Sequence, residues 1–295
     1  MDLEHKAIER LKEGEMLSHR YYDGKPLMVC YSGGKDSDVL VELAIASGID
    51  FEIVHSHTTA DAPETVRYIR QRFKELEDKG IKCSIQYPYY KGKRTSMWAL
   101  IPQMKMPPTR LVRYCCNVLK ETSGKNRAIA TGVRWSESAS RKNSRGFFEV
   151  NHKDKEKRII LRDDNDESRR LMEHCQIKSR ITTNPILEWS EDNVWDYLHE
   201  RKCEGNPLYQ CSFSRVGCIG CPMAGKNRWD GFSQYPKYKN LYINAFQKML
   251  DSYSAEKREK RNSWKDGYDV FLWWMEEDPN QFVFNEFDIR QEVNE

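Results

Sequence analysis

The chain opens on charged residues at helical spacing, MDLEHKAIERLKEGE, and then alternates short apolar runs with amphipathic ones. Pro26 to Tyr31 is brief and apolar enough for a buried parallel strand. Val39, Leu40, Leu43 and Ala44 follow as the inward stripe of a helix ending near Gly48. Phe51 to Val54 predicts a second strand. Pro63 stands where a first-turn proline belongs, ahead of Val66, Ile69, Phe73 and Leu76 on one helical face and Gly80 at the end. Ile81 to Tyr87 and Ala128 to Val133 predict two more strands. This alternation predicts an α/β fold, a doubly wound and mostly parallel sheet covered by helices.

From Arg134 to Arg170 both signs of charge crowd the chain, broken by Phe147, Phe148 and the run Ile159 to Leu161, so a mobile loop with one short strand is expected. Ser190 then reads as a helix N-cap, with acidic residues in the first turn and Val194, Trp195 and Leu198 facing inward. The part from Trp229 onward carries Tyr242, Phe246 and Met249 at helical spacing and predicts a helical cap. The pattern divides the chain into a nucleotide-binding α/β domain over 1–188 and a cysteine-rich, helical region over 189–295.

Composition narrows the class. Only 39% of the 295 residues are hydrophobic, and no stretch approaches the roughly 20 consecutive apolar residues of a membrane-crossing helix. The first residues lack a signal peptide's apolar centre, so a cytoplasmic protein is expected. The 8 Trp, 15 Tyr and 11 Phe supply enough core material to exclude a disordered chain. The net charge of +3 neither demands nor excludes a nucleic-acid partner, because a local patch decides that.

Candidate chemistry begins with Ser32-Gly-Gly-Lys-Asp-Ser37, between the first strand and its helix, where a doubly wound sheet binds nucleotides. Gly33 and Gly34 let the backbone turn and aim amides at an anion. The helix N-terminus and Lys35 add positive charge, and the Ser32 and Ser37 hydroxyls can donate to phosphate oxygens. The spacing is shorter than that of a Walker loop, and Asp36 follows the lysine. Asp36 suits either orientation of Mg²⁺ or a helix cap.

Tyr31-Ser-Gly-Gly-Lys-Asp-Ser37 resembles the pyrophosphate-binding loop of the N-type ATP pyrophosphatases, the PP-loop superfamily, and more closely the phosphoadenosine phosphosulfate reductase family. Further stretches carry the same resemblance. These are His57-Thr-Thr-Ala-Asp-Ala-Pro-Glu64, Arg113-Tyr-Cys-Cys-Asn-Val-Leu-Lys120, Thr131-Gly-Val-Arg134 with Glu137, Ser138 and Arg141, and Asn184-Pro-Ile-Leu-Glu-Trp189 with Trp195. The nearest members resembled are the ATP sulfurylase small subunit and the sulfurtransferases of DNA phosphorothioation. The resemblance implies an adenine nucleotide alpha hydrolase-like fold that binds ATP with Mg²⁺ and releases pyrophosphate. It implies nucleotide contacts from Tyr31, Ser32, Gly33, Gly34, Lys35, Ser37, His57, Thr58, Gly132 and Arg141, with Lys35, Asp36 and Arg134 as catalytic residues. For Arg141 a solvated surface charge is an equal reading.

The nine cysteines in a chain without an export pattern favour metal or catalytic use over disulfides. Cys218-Ile-Gly-Cys221-Pro is a metal knuckle, with Gly217 and Gly220 freeing the backbone to fold around it. Two sets could complete four ligands. Cys203 and Cys211 give a local set resembling the phosphorothioation sulfurtransferases; Cys115 and Cys116 give one resembling the adenylylsulfate reductases, where a Cys-Cys pair and a Cys-x-x-Cys pair hold a 4Fe-4S cluster. The local set is preferred, since it needs no long-range assembly and leaves Cys115 or Cys116 as a sulfur carrier activated by Arg113 and Lys120. A 4Fe-4S cluster ranks ahead of zinc as occupant. Cys30, Cys83 and Cys175 read as buried and inert, and His55, His57 and His174 as structural.

The expected function is therefore an ATP pyrophosphatase-type sulfurtransferase that activates an acceptor and receives sulfur from a cysteine desulfurase or another donor. Nucleic acid is a candidate acceptor, through Arg141 to Arg145, Lys153, Lys155, Lys157 and Arg158, and through Lys257 to Arg261 with Trp264. The alternatives are a sulfonucleotide reductase, disfavoured because no cysteine follows Cys221, and a non-catalytic nucleotide- or redox-sensing module.

Overall fold

A computed structural model describes residues 2–151, 158–164, 180–211, 213–254 and 264–275. The chain forms two compact units, one of 1–56, 63–86 and 123–216, the other of 57–62, 87–122 and 217–295. The units alternate along the chain instead of meeting once near residue 188.

In the first unit, α1 (Leu3–Tyr21) leads into β1 (Leu27–Cys30), α2 (Lys35–Ser47), β2 (Phe51–Ser56), α3 (Pro63–Glu77) and β3 (Cys83–Gln86). β1 and β2 lie parallel in register Leu27 to Phe51, and β2 and β3 lie parallel as well. The chain returns at β6 (Ala128–Ala130), which lies parallel to β1 on the side away from β2. Leu27, Val29, Ile53, Ala128 and Ala130 are buried, as strands covered on both faces require. The sheet thus grows outward from β1 in both directions, and the turn after β1 sits at the carboxyl end of the strand where the order reverses. That is the position at which open α/β sheets hold ligands.

The charged stretch after Arg134 folds further than its composition suggests. A 3-10 turn at Trp135–Glu137, α6 (Ala139–Ser144), β7 (Phe148–Asn151) and β8 (Ile159–Leu161) replace the expected loop in its described part. With β9 (Arg180–Thr183) they complete a seven-stranded sheet, β7 running antiparallel to both β8 and β9. Charge is used inside: Glu149 is fully buried, and its carboxylate accepts from Arg145 at 3.0 Å, Arg158 at 2.9 Å and Asn184 at 3.1 Å. α7 (Glu191–Glu200) begins at Ser190 as expected, with a capping box shared with Asn193.

The second unit holds the hairpin β4 (Tyr89–Tyr90) and β5 (Lys93–Arg94), then α4 (Met97–Met104), α5 (Tyr114–Leu119), α8 (Arg228–Gln234), α9 (Pro236–Asp251) and α10 (Gly267–Met275). Its described core is aromatic: Tyr242 and Trp274 pack with ring centroids 4.6 Å apart, beside Phe232, Phe246 and Phe271. The helical cap expected from the sequence is present in the described residues. No helix of the described chain is long and apolar enough to cross a membrane.

Candidate active site

The loop after β1 is organised by its own glycines and serines. Gly33 has φ +75°, and a Cβ there would meet Ile69 at 2.8 Å, so only glycine fits. The Ser37 hydroxyl donates to the Gly34 carbonyl at 2.7 Å and receives the Gly34 N–H at 3.2 Å, while Ser32 lies 3.2 Å from Ser37. The amides at the start of α2 are thereby fixed in a shape that cradles an anion. Buried Asn206 braces the loop from outside, its amide donating to the Gly33 carbonyl at 2.9 Å and to Thr65 at 3.1 Å.

Lys35 is buried to 5% exposure. Its ammonium lies 3.1 Å from Glu191 and 3.3 Å from the Ser214 carbonyl, over the rings of Trp195 and Tyr209. Its backbone N–H donates to the Tyr209 hydroxyl at 3.0 Å. An arriving phosphate therefore meets groups already engaged, and Glu191, whose side chain is 59% exposed, is the partner able to swing away.

The end of β6 closes the other side. Arg134 is 2% exposed and donates to Asp36 at 2.5 Å and to Ser136 at 2.8 Å. At Gly132 a Cβ would stand 2.7 Å from the Asp36 carbonyl, so the glycine lets strand and loop touch. The structure thus brings together Ser32, Gly33, Gly34, Lys35, Asp36, Ser37, Gly132 and Arg134. Arg141 on α6 pairs with Glu137 of the preceding 3-10 turn, and Tyr31 turns beneath the loop to donate to Asp38 at 2.6 Å. Asp38 is fully buried, and burial pushes its carboxyl up to about 7, opposed by the Tyr31 and Tyr68 hydroxyls and Arg72.

The thiols divide between the units. Cys203 belongs to the first, near Asp38 and Arg72, with its thiol pushed up mainly by burial; Cys211 is exposed on the turn Pro207–Cys211. Cys115, Cys116, Cys218 and Cys221 belong to the second, all of them half-buried. Cys218 forms a backbone bridge with Asp61, its thiol lies 3.3 Å from Thr58, and Ile219 donates to the Ala60 carbonyl at 2.8 Å. Gly220, at φ +72°, would put a Cβ 2.4 Å from Phe232, which fixes glycine inside the knuckle.

These four thiols feel one another electrostatically. A hydrogen bond from Cys115, with Arg113 and Lys120 nearby, brings Cys116 down to about 5, and the same contact pushes Cys115 up along with the charges of Cys218 and Cys221. Arg113 donates to the Cys116 sulfur at 3.3 Å. Burial pushes Cys218 up to about 11 against the pull of Lys120. Lys120 is raised in turn, first by Cys218 and then by Asp61, Cys221 and Cys116. Four thiols with the Arg113 and Lys120 cations beside them could hold a centre whose ligand shell becomes negative on binding.

The sequence does not mark Tyr209, Asn206 or Asp38, whose contacts come from side chains far along the chain or beneath the loop. His55 holds the Tyr31 carbonyl at 3.0 Å, and His57 packs edge-on to Tyr87. His174 and Cys175 lie outside the described residues, as do Lys153, Lys155, Lys157 and 257–261. Arg141, Arg145 and Arg158, expected to face a nucleic acid, are instead ion-paired with Glu137 and Glu149.

Residues 26–224 match the phosphoadenosine phosphosulfate reductase domain family. The chain belongs to this family. An uncharacterized protein of Methanocaldococcus jannaschii is 26% identical over 253 residues, 82% of this chain and 46% of that protein. A second from the same organism is 26% identical over 257 residues, 84% of this chain and 52% of that protein. The chain thus spans about half the length of these two relatives. The adenosine 5'-phosphosulfate reductase of Staphylococcus haemolyticus is 23% identical over 233 residues, 74% of this chain and 81% of that protein. The crystal structure of the phosphoadenylyl-sulfate reductase of Candida auris in a phosphate complex matches with TM-score 0.44 and 15% identity, covering 70% of this chain and 87% of that one. Membership of the phosphoadenosine phosphosulfate reductase family places the chain in the PP-loop superfamily.

Proposed function

We propose that the chain is an ATP-dependent sulfurtransferase whose loop holds the β- and γ-phosphates of ATP with Mg²⁺. The supporting observation is the preorganised loop: its amides and two serine hydroxyls are fixed where α2 begins, and Lys35 stands at the first position of that helix. An acceptor oxygen attacks the α-phosphorus, the bond to the β-phosphate breaks, and pyrophosphate leaves with the electron pair. Lys35 and the amides stabilise the charge growing on that leaving group. Arg134, held by Asp36, faces the same loop and serves the α-phosphate. Sulfide then attacks the activated acceptor and displaces AMP, which leaves with the electron pair of the broken bond; sulfur arriving as a desulfurase persulfide would need an added thiol to cleave the resulting S–S bond.

In this reading the 4Fe-4S ligands are Cys115, Cys116, Cys218 and Cys221 rather than the local set with Cys203 and Cys211. The shared electrostatics of the first four support that assignment, whereas the thiol of Cys203 is set by burial and Asp38. Bound there, the cluster supplies a site where sulfur is held or an electron passed. Arg113 and Lys120 offset its charge, and the carrier role expected of Cys115 or Cys116 falls away. Zinc would use the same four thiols.

A second reading, reduction of adenosine 5'-phosphosulfate, is favoured by one observation: the Cys-Cys and Cys-x-x-Cys pairs gather in one unit as in the reductases the sequence resembles. One experiment separates the two. Metal-loaded protein is given ATP, sulfide and an oligonucleotide or small acceptor, and separately adenosine 5'-phosphosulfate with thioredoxin. Pyrophosphate and AMP from the first mixture support the transferase; sulfite from the second, with none from the first, replaces it with the reductase.

A further inference from the structure

From Lys79 to Lys120 the chain has no acidic residue, while nine residues there are lysine or arginine. The β4–β5 hairpin in the middle of this stretch carries Tyr87, Tyr89, Tyr90, Lys91, Lys93 and Arg94 within eight positions. We propose that this hairpin is a docking ribbon for a single strand of nucleic acid.

The ribbon is rigid for its size. Lys91 and Gly92 both have positive φ, the conformation of a tight two-residue turn matched to strand twist, and Thr95 closes its base by donating to the Pro88 carbonyl at 2.9 Å. The register pairs Tyr89 with Arg94 and Tyr90 with Lys93, so Tyr89 and Arg94 share one face. Tyr87, two residues before Tyr89, shares that face too, and the Arg94 guanidinium lies 3.8 Å from the centre of its ring. Arg94 is thereby oriented without losing its charge. Tyr89 is 60% exposed, and its ring has no aromatic partner among the described residues. Among the described residues Lys91, Lys93 and Arg94 are exposed and form no ion pair.

That combination selects its partner. An acidic peptide would use the cations and leave Tyr89 idle, whereas a nucleic acid strand supplies phosphates for Lys91, Lys93 and Arg94 and a base face for Tyr89. A duplex keeps its base faces stacked and offers only phosphates to a ribbon this short. The inference rests on the transferase reading only in naming the acceptor class, and binding is measured without ATP, so either can fail alone.

The test is fluorescence anisotropy with labelled 12-nucleotide single-stranded DNA, single-stranded RNA and duplex DNA at two salt concentrations. The full chain should bind both single strands more tightly than the duplex, with affinity falling as salt rises. Tyr89→Ala should weaken single-strand binding roughly 5- to 100-fold with the salt slope unchanged. The double variant Lys91→Ala with Lys93→Ala should lower the slope by about 1 to 2. Both changes lie on exposed side chains, and unaltered circular dichroism and ATP binding report intact folding. Salt-independent binding, equal affinity for duplex and single strand, or a Tyr89→Ala chain that binds as wild type would each overturn the proposal.

Discussion

The Tyr209 hydroxyl accepts the backbone N–H of Lys35 at 3.0 Å, so the first amide of α2 is capped by a side chain 174 positions away. Burial pushes this phenol up to about 12, which keeps it protonated at neutral pH. A neutral oxygen there is a weaker acceptor than a phosphate oxygen, and the nucleotide has to displace it. Tyr209→Phe should therefore tighten the binding of pyrophosphate or ATP by roughly 3- to 10-fold, the value of one ordinary hydrogen bond. Isothermal titration calorimetry reads this directly. Weaker binding by the variant would mean that Tyr209 contacts the ligand.

Arg134 and Asp36 form the second clamp on the loop, and their pairing makes a stability prediction. The Arg134 side chain is 3% exposed and that of Asp36 24%. Removing the arginine leaves a half-buried carboxylate without its partner, so Arg134→Ala should cost about 2 to 3 kcal/mol, below the full penalty of a buried pair because Asp36 keeps some solvent. The double variant with Asp36→Ala should recover part of that loss. Urea unfolding of the single and double variants measures both; a double variant less stable than either single one contradicts the pairing.

Much of the first unit was legible in the sequence because its signals are local. β1, α2, β2, α3 and β3 each follow from apolar periodicity and a Gly or Pro stop, and Lys35, Asp36 and Gly132 announce themselves by place and residue type. β7 and β9 were not legible. Arg145, Glu149 and Arg158 look like solvated charge until Glu149 is seen buried with both arginines on it. Tyr209 and Asn206 escaped for another reason: each reaches the loop across more than 170 residues, and no periodicity encodes that distance. The cysteine spacing pointed to Cys203 and Cys211 as neighbours in sequence, while the fold groups thiols by unit.

Asp38 supplies a pH prediction. One oxygen receives the Tyr31 hydroxyl at 2.6 Å, and the other, Oδ2, is buried with no hydrogen-bond partner among the described residues. Its folded value of about 7 lies above the roughly 3.9 of an unfolded aspartate, so the folded chain holds a proton that the unfolded chain has released. The stabilisation is complete below about pH 4 and is lost as pH rises through 7. Between those limits wild-type stability should fall with a slope approaching about 1.4 kcal/mol per pH unit relative to Asp38→Asn. Asparagine keeps the acceptor for Tyr31 and removes the titration. Parallel stability curves for the two proteins from pH 4.5 to 7.5, a window set by those two values, would show that Asp38 is already ionised in the fold.

The thiol assignment makes the most decisive prediction, because two ligand sets share Cys218 and Cys221 and differ in the rest. Cys116 is held as a thiolate by Cys115, Arg113 and Lys120, and Lys120 is raised by Cys218, Cys221 and Asp61 together. Beside Cys203 the Arg72 cation is outweighed by burial and by Asp38, its largest charged influence, and both disfavour the thiolate. Metal bound as four thiolates needs that anionic state, and a site that already favours it binds more tightly. Serine at Cys115, Cys116, Cys218 or Cys221 should each strip most of the iron and the broad visible absorption from anaerobically loaded protein, while Cys203→Ser and Cys211→Ser should retain both. Loss of iron in the latter two with retention in Cys115→Ser and Cys116→Ser would restore the local set. A colourless protein with one zinc per chain, lost in the same four variants, would keep the ligands and change the metal.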